Sequence, residues 1–135
     1  MPAIRKAALL AAAALAVPLG LIPAGPASAA PQCTIDLVWQ NAFTPGEDSG
    51  SFSPNCQMGR GAHSNAVGEL QSALNTCHHK NIAVDNDFGP ATQSALISVQ
   101  RALGISADGV YGPQTARAMS HVIVSGGGAC KRITF

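Results

Sequence analysis

The 135-residue sequence carries little charge and few aromatic side chains. Eight lysines and arginines stand against seven aspartates and glutamates, and the aromatic residues are four Phe, one Tyr and one Trp. Nucleic-acid-binding surfaces need clustered basic residues that neutralise phosphates, often with aromatic residues among them. No such cluster occurs in this sequence, so it predicts no nucleic acid partner.

Motifs that hold a catalytic metal are also missing. There is no H-E-x-x-H helix and no C-x-x-C pair, which are common spacings for zinc ligands, and the four histidines have no acidic partner at ligand spacing. Asp85 and Asp87 have a D-x-D spacing, but a calcium site needs further oxygen ligands. We therefore predict no metal, no cofactor and no catalytic residues.

The N-terminus has the order of a secretory signal peptide. Arg5 and Lys6 precede an apolar run over 7–22, and the small residues Ala27-Ser28-Ala29 follow. We expect cleavage after Ala29, because the run is short for a membrane anchor and Pro18 interrupts it. Removing 29 residues from 135 leaves 106, enough for one domain. We expect a secreted, monomeric protein with no membrane contact after cleavage.

Four cysteines remain in that mature chain, namely Cys33, Cys56, Cys77 and Cys130. An even number of cysteines in a small exported domain predicts two disulfides, with three possible connectivities. We favour Cys56–Cys77 with Cys33–Cys130. The second bridge would join the two ends of the chain and close a long loop, which contributes about 4 kcal/mol in the entropy model.

The segments at the two ends of the mature chain have strand and loop character. Residues 30–63 begin with Cys33 to Trp39, whose alternating β-branched pattern predicts a strand. The turn residues from Phe43 to Asn55 predict a loop. The tail, 126–135, contains a second alternating run from Cys130 to Phe135, which we expect to pair with the first strand.

From Ser64 to Cys77 the spacing of apolar residues changes to that of a helix. Apolar residues recur there at steps of three and four, at Val67, Leu70, Ala73, Leu74 and Cys77. Ser64 is a candidate N-cap. His78 and His79 follow at the end; adjacent helical residues point about 100° apart, so we expect two exposed side chains rather than a metal site.

A similar thirteen-residue stretch then occurs twice, twenty-three residues apart, as VDNDFGPATQSAL (84–96) and ADGVYGPQTARAM (107–119). Proline suits the first helical turn because its missing N–H would be unpaired there. Asp108-Gly109 predicts a turn with a positive φ, which Asn86 can also adopt. The residues assigned structural roles are Phe88, Gly89, Pro90, Gly109, Gly112 and Pro113, with Phe88 and Tyr111 as buried anchors.

Two further amphipathic stripes follow these turns. The first comprises Ala95, Leu96, Val99 and Leu103, and the second comprises Thr115, Ala118, Met119 and Val122. Helices this short are not stable alone in water, so they must bury their stripes together. The predicted fold class is mainly α, a three-helix bundle with an internal pseudo-repeat over residues 64–125.

The order AVGELQSALN, VDNDFGPATQSAL, VQRALG and ADGVYGPQTARAM resembles the type 1 peptidoglycan-binding domain family. That family has a V-x-x-L-Q-x-x-L helix and two D-G turns, and the resemblance covers Ser64 to Met119. Asn86 departs from the first turn's glycine, and Val99 from the usual phenylalanine. The resemblance implies a non-catalytic peptidoglycan binder at the cell wall, with a separate hydrolase as a possible partner. The alternatives are a cell-wall hydrolase or its accessory subunit, and a small disulfide-stapled inhibitor or signalling protein.

Polar residues at matching places in the two halves are the candidate ligand contacts, because glutamine and arginine can pair with the amides and carboxylates of a stem peptide. They are Gln71, Thr92, Gln100, Asp108, Tyr111, Thr115 and Arg117. The structural alternative is that the threonines cap helices, Asp108 shapes a turn and Tyr111 is a core ring.

Overall fold

The computed structural model describes residues 29–135. The predicted signal peptide, apart from its last residue, lies outside the described residues. The elements in chain order are β1 (Ile35–Trp39), β2 (Ala42–Gly46), α1 (Asn65–His78), α2 (Pro90–Ala102), α3 (Pro113–Ala118), β3 (Ser120–Val122) and β4 (Cys130–Arg132). Within 29–135, none of the helices has the length and apolarity needed to cross a membrane.

The strands form two local hairpins, which corrects the predicted pairing of the two chain ends. β1 pairs with β2, from Ile35 opposite Gly46 to Trp39 opposite Ala42, and β4 pairs with β3 instead of β1. Gln40 and Asn41 both have positive φ, the geometry of a tight hairpin turn. A two-residue connection closes at little entropic cost, whereas pairing the ends would close a long loop.

The predicted loop from Phe43 to Asn55 is therefore wrong at its start, where Phe43 to Gly46 lie in β2. The tail still meets the first hairpin through side chains. The Trp39 indole N–H and the Gln40 amide donate to the Thr134 carbonyl at 3.0 and 3.1 Å.

The helix starts agree with the sequence. α1 follows Ser64, although the Ser64 hydroxyl caps no backbone N–H and instead donates to the Cys33 carbonyl at 3.4 Å. Pro90 and Pro113 each occupy the first position of their helix. The turns before them have the expected positive φ at Asn86, 64°, and at Gly109, 70°.

The third helix is shorter than predicted, so the predicted three-helix bundle with an internal pseudo-repeat is not confirmed. α3 has six residues and ends at Ala118, because Met119 adopts an extended backbone. The predicted stripe continued to Val122, but that residue lies in β3. The sequence from Val122 to Val124 is β-branched, which suits a pleated strand, and β4 supplies its hydrogen-bond partner.

The core surrounds the two aromatic anchors. Phe88 is 2% exposed and Tyr111 is 0% exposed, which confirms their prediction as buried residues. They belong to one cluster with the apolar faces of α1 and α2 and with Met58 and Met119. Burying aromatic rings contributes the largest apolar areas available in so small a domain.

A segment before α1, residues 58–64, connects both turns. The backbone of Met58 exchanges two hydrogen bonds with Tyr111, at 2.8 and 2.9 Å. Three further backbone bonds, from 2.9 to 3.2 Å, join this segment to the first turn: Gly61 N–H to Phe88 O, Phe88 N–H to Ala62 O, and Ser64 N–H to Asn86 O. The N-terminal segment is therefore an integral part of the fold.

Two disulfides are present, as predicted, but their connectivity is Cys33–Cys56 and Cys77–Cys130. The favoured pairing, Cys56–Cys77 with Cys33–Cys130, is wrong. A parallel bridge between Gln32 and Gln57 places Cys33 beside Cys56, with 5.1 Å between their Cα atoms. The end of α1 meets β4, where Cys77 and Cys130 have Cα atoms 5.8 Å apart.

Candidate functional site

The first turn is held by the buried amide of Gln71 on α1. Its Nε2 lies 2.8 Å from Asp85 Oδ1 and 3.0 Å from both the Asp87 carbonyl and the Thr92 hydroxyl. Its Oε1 accepts the backbone N–H groups of Asp85 and Asn86 at 3.0 Å. The hydrogen bond from Gln71 holds the pKa of Asp85 below its usual range.

The second turn has a matching arrangement around Gln100 on α2, which is 0% exposed. Its Nε2 donates to Asp108 Oδ1 at 3.0 Å, to the Val110 carbonyl at 2.9 Å and to the Thr115 hydroxyl at 3.1 Å. Its Oε1 accepts the Gly109 N–H at 2.9 Å. We call each set of bonds a glutamine clasp, since one side chain fixes the turn and the start of the following helix.

These contacts favour the structural interpretation of most candidate ligand residues. Five of the seven candidates are buried: Gln71, Thr92, Gln100, Tyr111 and Thr115. The polar atoms of the glutamines and threonines bond within the clasps. Their binding to a ligand stays a prediction.

The other two candidates, Asp108 and Arg117, are exposed. The Asp108 carboxylate accepts the Gln100 amide and the Val110 N–H. Arg117 lies over the ring of Phe135, with 4.4 Å from its guanidinium carbon to the ring centroid, and its Nε donates to the Phe135 carbonyl at 3.2 Å. Arg117 is therefore held in place with much of its guanidinium open to solvent.

A groove that the sequence did not indicate lies between the first hairpin and α1. It consists of two adjoining depressions of about 220 and 300 Å³, which share Asp36, Glu69 and Ser72 as lining residues. The first depression continues along Asn65, Gly68, Val84 and Asn86, and the second along Phe43, Thr76 and Val122. We call the two together the acidic groove.

Charge in the acidic groove is uncompensated. The lining residues, all within the described part of the chain, include two carboxylates and no Lys, Arg or His. Burial, with a smaller effect of the neighbouring Asp36 carboxylate, raises the pKa of Glu69 to about 7. Glu69 Oε1 is buried and finds no hydrogen-bond partner among residues 29–135.

The phenol of Tyr111 lies in the core, close enough to Glu69 for the carboxylate to affect it. Its Oη is fully buried and, within the described residues, has no partner with hydrogen-bond geometry, although the Thr44 hydroxyl is near. Burial is the main cause that raises the pKa of Tyr111, and the Glu69 carboxylate adds to it. Glu69 Oε1 and Tyr111 Oη are thus two buried polar atoms without a hydrogen-bond partner among the described residues.

Sequence reasoning missed Asp36 and Glu69. Asp36 is the single charged residue in the strand IDLVW, and Glu69 immediately precedes the buried Leu70 on α1. A carboxylate next to an apolar stripe indicates partial burial. The sequence does not show that Asp36 and Glu69 lie close together, because that depends on where the hairpin packs on α1. Over residues 29–135, no group of three or more His, Cys, Asp or Glu could hold a metal ion.

Comparison with known proteins identifies the central segment. The family model described as a putative peptidoglycan binding domain matches residues 63–119. Among curated proteins, the chain is 38% identical over 73 residues to the N-acetylmuramoyl-L-alanine amidase CwlM of Mycobacterium tuberculosis, covering 53% of this chain and 18% of that protein. It is 33% identical over 86 residues to a probable N-acetylmuramoyl-L-alanine amidase of Bacillus licheniformis, covering 62% of this chain and 24% of that protein.

The chain spans less than a quarter of the length of these two relatives. Among solved structures, it is similar to a peptidoglycan-binding protein from Clostridioides difficile in complex with glutamine hydroxamate, with 33% identity, 45% and 38% coverage of the two chains and a TM-score of 0.44. It is also similar to the SleB N-terminal domain, with 38% identity, 45% and 84% coverage and a TM-score of 0.43. The family match assigns residues 63–119 of this chain to the putative peptidoglycan binding domain family.

Proposed function

We propose that this chain is a secreted, non-catalytic protein that binds peptidoglycan at the cell wall as a monomer. The observation that carries the proposal is the family match over residues 63–119, which includes both glutamine clasps. Clasps that fix two neighbouring turns give the domain a rigid surface, and a preorganised surface binds without a large ordering cost.

The two curated relatives support a role at the cell wall. One is named an N-acetylmuramoyl-L-alanine amidase and the other a probable one, and the match covers only 18% and 24% of their lengths. A segment of that size in a longer enzyme is consistent with substrate attachment rather than with the reaction. We therefore infer that this chain performs the attachment step, alone or beside a separate hydrolase.

The covalent framework suits an extracellular location. Cys33–Cys56 joins the residues before and after the first hairpin, and Cys77–Cys130 ties α1 to β4. Disulfides persist in oxidising compartments. All four cysteines are oxidised, so none of them offers the thiolate that a cysteine nucleophile would need.

The test is sedimentation of the purified protein with insoluble peptidoglycan sacculi, beside a dye-release assay on the same sacculi. We expect the protein to pellet with sacculi and to release no dye. Dye release would overturn the non-catalytic proposal in favour of a hydrolase, the activity named in both curated relatives. A protein that stays in the supernatant would overturn peptidoglycan binding altogether.

A further inference from the structure

The acidic groove is made by two parts of the chain that meet only in the folded protein. Glu69 and Ser72 belong to α1, inside the matched segment 63–119, whereas Asp36 and Phe43 come from the hairpin β1–β2, outside it. The hairpin packs on α1. The groove is therefore a feature of this whole chain, and the matched segment alone would not contain it.

The two carboxylates of the groove have no basic partner among its lining residues. Asp36 is exposed at the groove and Glu69 lies at its floor, and the described lining residues provide no basic side chain. A partly buried carboxylate without a cation is costly, because burial removes water from its charge. A bound cation would offset that cost for both carboxylates at once.

The Glu69 carboxylate lacks a partner in the folded protein. Its Oε1 is buried and finds no hydrogen-bond partner within 29–135, although Glu69 lines both depressions. A cationic donor bound in the groove would pair with this carboxylate.

The shape of the groove restricts the kind of cation. Phe43 and Val122 line the second depression, while Val84, which is 54% exposed, lines the first. Apolar walls beside a pair of carboxylates suit a short methylene chain that ends in an ammonium group. The ammonium has three donors, and Asp36, Glu69 and the Ser72 hydroxyl offer acceptors.

We propose that the acidic groove binds the primary ammonium group of a diamino acid side chain in the peptidoglycan stem peptide. The inference rests on the proposed function, since it assigns a specific part of that polymer to a specific place on the protein. It explains why an otherwise unfavourable pair, Asp36 and Glu69, faces a common space.

The direct test is an NMR titration of the full protein with a synthetic stem tripeptide that ends in lysine, beside the same peptide with an acetylated side-chain amine. We expect the free amine to bind about tenfold more tightly, the usual effect of a lost charge-assisted contact of this size. Equal affinities for the two peptides would overturn the proposal.

Single substitutions test whether Asp36 and Glu69 bind the ammonium group. Asp36→Asn and Glu69→Gln should each weaken binding of the free-amine peptide by about fivefold or more. Asp48→Asn is the matched control, because Asp48 is also an exposed carboxylate on the N-terminal segment but does not line the groove. A loss of affinity in the control equal to that in Asp36→Asn would contradict the assignment. Asp36 is exposed, so its variant tests the site even if Glu69→Gln alters packing.

Two further experiments distinguish the stem peptide from another source of a primary ammonium group, and this inference from the proposed function. Glucosamine carries a primary ammonium on a sugar ring; tighter binding of glucosamine than of the tripeptide would overturn the peptide assignment. Sedimentation of Asp36→Asn with sacculi provides the second arm. Retained sedimentation together with equal affinity for both peptides would remove the groove proposal and leave peptidoglycan binding intact, whereas wild-type protein that fails to sediment removes the proposed function itself.

Discussion

The two turns of the central domain use the same hydrogen bonds but different residues. Gln71 and Gln100 each bond an aspartate carboxylate, a backbone carbonyl and a threonine hydroxyl, yet the left-handed position is Asn86 in the first turn and Gly109 in the second. The clasp is therefore set by the glutamine, and the residue at the positive φ is free to vary where its side chain has space.

That space comes from α1. A Cβ on Gly68 would lie inside the contact distance of Asn86 Oδ1, so the glycine on the helix makes room for the asparagine in the turn. At the second turn the glycine lies in the turn and makes room for a helix side chain, because a Cβ on Gly109 would lie 2.9 Å from Gln93 on α2. Asn86, the departure from the family pattern, thus depends on Gly68.

The largest expected effect is the loss of either clasp. Gln71→Ala and Gln100→Ala should each lower the free energy of unfolding by about 3 kcal/mol, because several buried polar groups lose their partner. Urea denaturation followed by circular dichroism measures the change, with the exposed Gln114→Ala on α3 as control. If only one of the two clasp variants were destabilised, the turns would not be energetically equivalent despite their matching bonds.

The second prediction breaks the dependence of Asn86 on Gly68. Gly68→Ala should destabilise the protein by about 2 kcal/mol through overpacking, although alanine is normally the better helix residue. In the double variant with Asn86→Gly the clash is gone, so the helix propensity of alanine should recover most of that loss. Thermal unfolding of the two single variants and the double variant gives the coupling energy. Additive effects would contradict a direct contact.

The comparison also shows how far sequence reasoning reaches. The helix starts, the two positive-φ positions and the buried rings were predictable, because Pro90, Pro113, Asn86 and Gly109 act through local backbone chemistry. Local signals did not determine which cysteines pair. That depends on the bridge between Gln32 and Gln57 and on the approach of β4 to α1, which are contacts between distant parts of the chain.

The end of α3 and the acidic groove were missed for related reasons. Thr115 to Val122 has apolar residues at helical spacing, but the strand pairing of β3 with β4 overrides that pattern after Ala118. Asp36 and Glu69 are thirty-three residues apart in the sequence and meet only because the hairpin docks on α1. A groove formed by two distant segments of the chain leaves no recognisable motif in the sequence.

A third prediction concerns Glu69, which aligns with the exposed Ser98 in the second half. Its pKa of about 7 is above the ordinary 4.5, so the folded state favours the protonated form. Its contribution to stability is therefore present below about pH 4.5 and is lost as the pH rises through 7.

Glu69→Gln removes the loss of stability that Glu69 causes as the pH rises. Relative to wild type, the variant should be equally stable near pH 4.5 and more stable by about 1 kcal/mol near pH 8, a value discounted for the part of the side chain that water screens. Urea denaturation at both pH values measures this difference. Ser98→Ala, its counterpart, should show the same difference from wild type at both pH values. A pH-independent effect of Glu69→Gln would show that its carboxyl is not perturbed.

The smallest expected effect is at Arg117, which aligns with Ser94 and is the exposed cation among the candidate ligand residues. Its guanidinium is positioned by the Phe135 ring and carbonyl, so it can pair with a carboxylate of the stem peptide without losing much side-chain entropy. Arg117→Ala should weaken sedimentation with sacculi by about two- to fivefold, the range of a solvent-exposed ion pair. Arg101→Ala removes another exposed arginine, from α2, and should bind as wild type does. Equal weakening in the two variants would show that net charge, and not the position over Phe135, determines binding.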